Sequence, residues 1–126
     1  MLDVLTIAGS PSSPSRSSAV LAYTRRFLEK HGLTTDSLSV RDLEAAELMN
    51  ARFDGPSIRN GVALVQQARA LIIATPVYKA AYSGVLKAFL DLLPQDGLAN
   101  KTIFPIATGG SASHLLAIDY ALKPVL

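Results

Sequence analysis

Short apolar runs alternate along the chain with longer stretches whose apolar residues recur at helical spacing. Residues 2–8 and 70–75 are almost continuously aliphatic, which is typical of strands buried on both faces of a sheet. Residues 102–107 form a third such run, and residues 33–40 form a weaker one with alternating polarity. This alternation predicts an α/β fold, in which helices cover both faces of a parallel sheet.

The stretches between the strands predict helices. The first covers residues 16–31, starts after a run of serines and ends at Gly32, a typical C-terminal capping residue. Its apolar residues share one face: Val20, Tyr23, Phe27 and Leu28. Pro56 opens a second helix, and residues 83–93 form a third that ends at Pro94. Residues 41–50 are irregular, acidic and partly helical in character, and a last helix begins near Ser113.

The order of the elements indicates a doubly wound sheet with three layers, in the α/β/α arrangement. Pro105 lies inside the last predicted strand and lacks a backbone donor, which fits an edge position, or a strand locally unpaired on one side, better than a fully paired central strand. Residues 1–126 are expected to form one domain. A doubly wound sheet of this kind normally has a fifth strand and a further helix, so we expect the chain to be incomplete at its C-terminal end.

Composition and charge exclude several classes of function. The 12 Lys and Arg residues are scattered and exceed the Asp and Glu residues by two, which does not favour nucleic-acid binding. The chain has no cysteine and two distant histidines, so thiolate chemistry and a metal site are not expected. No apolar run approaches the roughly 18 residues that span a bilayer. We therefore expect a soluble cytoplasmic protein without a membrane segment.

The turn after the first strand has the composition of a phosphate site. Six serines, two prolines and Arg16 lie within the ten residues 9–18, which join a buried strand to a helix. Backbone amides and hydroxyls at a helix N-terminus bind anions, which favours a monophosphate here. The segment lacks the lysine of a Walker loop and the Gly-x-Gly-x-x-Gly spacing. The alternative is an ordinary loop in which one serine caps the helix.

Two more turns are expected at the same end of the sheet. In a doubly wound sheet, ligands bind beyond the carboxyl ends of the strands where the strand order reverses. The turn after the third strand carries Tyr78 and Tyr82, against which a flat ring could rest, although both could simply pack on the sheet. The turn after the fourth strand carries Gly109 and Gly110, which permit close approach to a ligand. Together the three turns indicate a flavin mononucleotide site.

At these residues the sequence resembles a known family, the NADPH-dependent FMN reductases that serve alkanesulfonate monooxygenases, within the flavodoxin-like flavin reductases. The resemblance covers nearly the whole chain, through AGSPSSPSRSS, ARFD, ATPVYKAAYSGVLKAFLDLLP and ATGGSASHLLAIDYALKPVL. In the wider superfamily the phosphate loop has an arginine where this chain has Ser12, and we expect Arg16 to supply that charge instead. Glu often follows the proline of the next turn, where Val77 stands here.

The composition of the three turns and the resemblance together predict which residues contact the cofactor. The expected cofactor-binding residues are Ser10, Ser15, Arg16, Ser17, Ser18, Pro76, Val77, Tyr78, Thr108, Gly109, Gly110 and Ser111. Lys79 is a further candidate for a phosphate of FMN or NADPH. His114 could contact a ring, or could equally be a packed or capping histidine. No general acid or base is expected, because hydride transfer needs stacked rings and little proton transfer.

The resemblance also implies an activity and partners. The expected reaction transfers a hydride from NADPH to FMN and releases reduced FMN to a flavin-dependent sulfonate monooxygenase. Tyr120 stands where the resembling reductases form a π-bulge at a subunit contact of a homotetramer, so we expect it to act as a gate of the flavin site. The alternatives are an FMN-retaining quinone or azo reductase, a flavodoxin-type electron carrier, whose usual acidity this chain lacks, and a non-catalytic flavin-responsive domain.

Overall fold

A four-stranded parallel sheet forms the centre of the molecule. In this computed structural model, which describes residues 1–126 apart from the side chain of Ser113, the strands are β1 (Leu2–Ala8), β2 (Thr35–Ser39), β3 (Ala68–Pro76) and β4 (Thr102–Thr108). Their spatial order is β2-β1-β3-β4, and every pairing is parallel. The order therefore reverses at β1, which is the arrangement of a flavodoxin-like sheet and confirms the predicted fold class.

The two central strands carry most of the core. Leu5 and Ile7 of β1 and Ile73 of β3 are completely buried, and Leu71 is 1% exposed. β1 pairs on both sides, with β2 through Val4–Thr35 to Ala8–Ser39 and with β3 through Leu2–Ala68 to Ala8–Ala74. Continuous aliphatic runs are what a strand with covered faces requires, so both predicted strands are confirmed.

Helices cover the two faces of the sheet. They are α1 (Arg16–Lys30), α2 (Ala45–Met49), α3 (Pro56–Gln67) and α4 (Gly84–Leu90). Val65 of α3 and Leu86 and Phe89 of α4 pack in the larger core with the aliphatic residues of β1 and β3. On the opposite face Leu21 of α1 packs against Ala8 and Ala74. These contacts complete the three layers that the sequence predicts.

The predicted contact face of α1 is wrong. Val20, Tyr23 and Phe27 are 38%, 66% and 53% exposed, whereas Ser17 and Leu21 are buried. Ser17 Oγ shares a hydrogen bond with Thr108 Oγ1 at the end of β4, so the buried side of α1 begins with a polar residue. Helical spacing identified a stripe of apolar residues but not the side of the helix that meets the sheet.

Other boundaries differ by a few residues. α4 ends at Leu90 instead of Leu93, because hydrogen bonds from Leu92 and Leu93 to the carbonyls three residues earlier tighten the chain before Pro94. Gly32 has φ of 85°, which fits its predicted capping role at the end of α1. β4 carries Pro105 and, in the part of the chain that the structure describes, pairs only with β3. Within residues 1–126, β4 therefore lies at one edge of the sheet, as Pro105 predicts.

The C-terminal segment is a chain of unusual helical turns. A 3₁₀ turn at Ala112–His114 leads to a π-helix at Ala117–Leu122 and a last 3₁₀ turn at Lys123–Val125. The π-helix expected around Tyr120 is thus present, and Tyr120 is 77% exposed. None of the helices described has the length and apolar character needed to cross a membrane.

Candidate functional site at the carboxyl ends of the strands

The segment between β1 and α1 is shaped by its serine side chains. Ser15 is the N-cap of α1, since its Oγ accepts a hydrogen bond of 3.0 Å from Ser18 N. Ser10 Oγ accepts from Ser12 N at 3.2 Å and folds the loop back on itself. The amides of Arg16 and Ser17 precede the first intrahelical bond, which Ala19 donates to Ser15. These two amides are donors that a bound anion can use.

The hydroxyls of two predicted contact residues are turned inward. Ser10 and Ser17 are each 1% exposed, and Ser17 Oγ shares a hydrogen bond of 2.9 Å with Thr108 Oγ1. The capping alternative is correct for Ser15, whose Oγ also donates to Ser18 Oγ at 2.9 Å. In this arrangement the loop offers backbone amides and the exposed Arg16 side chain outward, while its hydroxyls hold the loop in shape.

The segment between β3 and α4 contains a tight turn with strained backbone. Tyr78 N donates to Ala81 O at 2.9 Å, and Ala81 N donates to Tyr78 O at 3.1 Å. Between them Lys79 and Ala80 have φ of 52° and 62°. Two successive left-handed residues are the signature of a type I′ turn, which usually contains Asn or Gly. A left-handed residue with a Cβ carries strain of about 1–2 kcal/mol, and such strain often accompanies functional sites.

The two tyrosines predicted beside this turn have different environments. Tyr78 is 46% exposed, so its ring is accessible at the carboxyl end of the sheet. Tyr82 is partly buried and packs against the larger core. Tyr82 therefore has a packing role, as the alternative interpretation predicted, and Tyr78 is the tyrosine of this turn that a ligand can reach.

The turn after β4 is shaped by its glycines and by His114. A Cβ on Gly109 would lie 3.2 Å from both Cβ and Nδ1 of His114, whereas a Cβ on Gly110 would meet nothing within 4 Å. The first glycine therefore permits close packing of the turn on His114, and the second leaves open space beside the strand end. Within the described residues, His114 Nδ1 is buried without a hydrogen-bond partner.

Hydrogen bonds tie the three segments to one another. Ser17 binds Thr108, which joins the first segment to the third. Val77 N donates to Thr108 O at 3.0 Å, which joins the second to the third. Ser83 Oγ donates to Gly9 O, which joins the second to the first. The predicted meeting of the three turns at one end of the sheet is therefore confirmed, and the roles of their residues toward a ligand stay predictions.

Arg16 and Lys79, in the segments after β1 and β3, are both exposed and bring positive charge to this end of the sheet. Among the residues that the structure describes, no three His, Asp or Glu side chains lie close enough together to hold a metal ion. The arrangement suits a ligand with a phosphate and a flat polar ring, held by amides and backbone carbonyls.

Two of the larger cavities lie elsewhere. One, of about 630 Å³, lies between β2 and α3 beside Glu47, whose Oε1 accepts from Ser57 N at 3.0 Å and Ile58 N at 3.4 Å. The other, of about 610 Å³, lies at the amino ends of the strands, where ligands of doubly wound sheets do not bind. Glu47 caps the start of α3, so the role of this carboxylate is structural.

Sequence reasoning missed Thr75 and Ser83 as members of this region. Each is 1% exposed, and Ser83 N donates to Thr75 Oγ1 at 2.9 Å. Ser83 also caps α4, since its Oγ accepts from Leu86 N at 3.2 Å. A serine before a helical apolar pattern signals an N-cap, but nothing local in the sequence shows the bond from Ser83 to Gly9.

Comparison with known proteins assigns a family. A family model described as NADPH-dependent FMN reductase matches residues 2–126. A protein of Pseudomonas putida named FMN reductase (NADPH) is 53% identical over 98% of this chain, which covers 62% of that protein. A protein of Escherichia coli with the same name is 51% identical over 98% of this chain and 64% of its own length. The chain thus spans less than two thirds of these relatives.

Solved structures show the same architecture. A crystal structure of an NADH:FMN oxidoreductase in its apo form superposes with a TM-score of 0.92 and 40% sequence identity. The match covers 100% of this chain and 68% of that one. The two sequence relatives name NADPH and this structure names NADH, so similar sheets occur in proteins named for different nicotinamide nucleotides.

Proposed function

Because the chain belongs to the NADPH-dependent FMN reductase family, we propose that it is a cytoplasmic flavin reductase that transfers a hydride from NADPH to FMN. The observation that carries this proposal is that hydrogen bonds join the three turns at the carboxyl ends of the strands, where the strand order reverses. This is the place at which doubly wound sheets bind ligands. An anion-binding helix start lies there beside an exposed aromatic residue and an open diglycine turn. These are the two kinds of surface that a phosphorylated flat ring requires.

The residues present fit FMN. The amides of Arg16 and Ser17, with the Arg16 side chain, would bind the phosphate at the start of α1. Ser10, Ser15 and Ser18 would shape this loop. The ring would lie between the turn that carries Pro76, Val77 and Tyr78 and the turn of Thr108, Gly109, Gly110 and Ser111. The open space at Gly110 supports this placement, since no described atom lies within 4 Å of a Cβ built there.

The chain contributes positioning to the reaction. When bound here, FMN would supply the ring nitrogen at which a hydride from the nicotinamide carbon of NADPH is accepted. The turn at 78–81 and the diglycine turn would hold one face of the flavin ring, which would leave the exposed side to the nucleotide. Lys79 lies at that exposed side and is the proposed contact for a phosphate of NADPH. No side chain needs to move a proton, because stacking and orientation provide the rate enhancement.

Steady-state oxidation of NADPH, with and without added FMN, tests the proposal. A reductase that uses flavin as a substrate requires free FMN for turnover and purifies without colour. Turnover independent of added FMN, with yellow protein, would favour the FMN-retaining quinone or azo reductase instead. Binding of FMN without any oxidation of NADPH or NADH would favour the flavodoxin-type electron carrier.

Variants of the first turn test the phosphate site. Arg16→Ala removes the outward cation, and Ser17→Ala breaks the bond to Thr108 that fixes the start of α1. Arg16→Ala is expected to weaken FMN binding by about tenfold, the scale of one charge-assisted hydrogen bond, and Ser17→Ala is expected to weaken it by about fivefold, the scale of one neutral hydrogen bond. Arg26→Ala is the matched control, because Arg26 is an exposed arginine nearer the other end of α1. Unchanged FMN affinity in both test variants would place the phosphate elsewhere.

We further propose that the reduced flavin passes to a flavin-dependent sulfonate monooxygenase and that the enzyme assembles as a homotetramer. The exposed Tyr120 in a π-helix supports a subunit contact, since π-turns are frequent at functional sites. Tyr120→Ala is expected to retain FMN on purification and to lose turnover with free flavin. A Tyr120→Ala protein that purifies colourless, turns over normally and keeps its oligomeric state would refute the gate.

A further inference from the structure

Ser83 makes more contacts than a helix cap requires. Its Oγ accepts from Leu86 N at 3.2 Å, which is the ordinary N-cap interaction of α4. The same oxygen donates its proton to the carbonyl of Gly9, 74 residues earlier in the chain. A capping residue needs only an acceptor, so the donor bond to Gly9 serves something other than the start of α4.

Gly9 is the last residue before the serine-rich loop. Its amide donates to Ala74 O at 2.8 Å, and its carbonyl receives the Ser83 proton. A Cβ on Gly9 would lie 3.0 Å from Leu86 Cβ and 3.3 Å from Ala74 O. The backbone that enters the loop is therefore held closely against the end of β3 and the first turn of α4.

We propose that Ser83 is a positioning residue that sets the phosphate loop at a fixed distance from the ring site. This inference rests on the proposed FMN site. Ser83 is 1% exposed, so water does not compete for the Gly9 carbonyl, and a buried hydrogen bond is stronger than an exposed one. Without the bond the loop entry moves away from α4, and the α1 amides no longer lie where the FMN phosphate reaches them while the ring is in place.

The experiment compares two ligands that differ by the phosphate alone. The dissociation constants of riboflavin and FMN are measured for the wild type and for Ser83→Ala. The dissociation constant of riboflavin divided by that of FMN, called the phosphate ratio below, gives the contribution of the phosphate to binding. A positioning role predicts that this ratio falls by at least about fivefold in Ser83→Ala, on the scale of one hydrogen bond. A purely structural role lowers the melting temperature and leaves the ratio unchanged.

Two further variants sharpen the result. Thr75→Val is the matched control, because it removes the acceptor of Ser83 N and leaves the bond from Ser83 to Gly9 intact. Its phosphate ratio is expected to equal that of the wild type. In Gly9→Ala the added Cβ would press against Leu86 and displace the loop entry, so the phosphate ratio is expected to fall. This variant serves as the test if Ser83→Ala does not fold.

The outcomes separate this inference from the proposed function. A ratio that is unchanged in Ser83→Ala, or in Gly9→Ala where Ser83→Ala does not fold, overturns the positioning role and leaves the flavin site standing. An equal fall in Ser83→Ala and Thr75→Val also overturns it, because the effect would then follow from any damage to the buried junction. A wild-type protein that binds neither flavin would overturn the proposed function and this inference with it.

Discussion

Replacing Ala80 by glycine is expected to stabilise the protein. Ala80 is exposed and has φ of 62°, so the substitution removes a strained Cβ without loss of packing. A left-handed alanine costs about 1–2 kcal/mol, and the extra freedom of glycine in the unfolded chain costs about 0.5–1 kcal/mol. The difference predicts that Ala80→Gly raises the free energy of unfolding by about 0.5–1 kcal/mol.

The neighbouring alanine is the matched control. Ala81 belongs to the same turn and makes both of its closing hydrogen bonds through backbone atoms, but it is not among the residues with positive φ. Glycine at this position adds unfolded-state freedom and relieves nothing, so Ala81→Gly is expected to lower the free energy of unfolding by about 0.5–1 kcal/mol. The two substitutions should therefore act in opposite directions.

Urea denaturation followed by circular dichroism measures both effects. With an m-value of about 2 kcal/mol per molar urea, the midpoint of Ala80→Gly is expected to rise by about 0.25–0.5 M. The midpoint of Ala81→Gly is expected to fall by a similar amount. A midpoint that is unchanged or lower in Ala80→Gly, or a shift of both variants in the same direction, would refute strain as the property that distinguishes this turn.

Two further predictions concern stability away from the site. Glu47→Ala should lower the free energy of unfolding by about 1–2 kcal/mol in chemical denaturation, because Glu47 caps α3. Glu44→Ala is the control and should change this free energy little, because it leaves the bond from Glu44 N to Ser57 Oγ in place. Equal losses in the two variants would contradict the capping role. Hydrogen bonds from the Thr34 backbone and side chain, helped by Arg69, hold the pKa of Asp3 below its ordinary value of 3.8. The stability that this carboxylate provides is present above pH 3.8 and is lost as the pH falls through the lowered pKa, so the advantage of the wild type over Asp3→Asn in thermal unfolding should disappear in acid; an advantage that does not depend on pH would contradict this assignment.

Local sequence patterns predicted the sheet because a strand that is buried on both faces needs a continuous aliphatic run. β1 and β3 are covered on both faces and consist of aliphatic runs, and Pro105 marked the edge strand. The turns could be placed because parallel strands bring their carboxyl ends to one edge. The π-helix around Tyr120 followed from the family resemblance rather than from helical periodicity.

Contacts between distant elements left no such trace. On the buried side of α1, Ser17 bonds to Thr108, 91 residues away, and at the entry to the serine-rich loop Gly9 accepts a bond from Ser83. The cap of α3 comes from Glu47, in another helix. Each of these side chains has its partner in another element of the fold, so periodicity and local propensity could not reveal it.

The central position of β1 has a consequence for synthesis on the ribosome. β1 is the first strand to emerge, and its neighbour β2 follows within about 30 residues, but β3 pairs with it only from Ala68 onward. At the usual speed of translation, about 5–20 residues per second, β3 is completed roughly 3–14 seconds after β1. During that interval one edge of an aliphatic strand is unpaired, so the nascent chain should depend on chaperones that hold exposed strands more than the finished fold does.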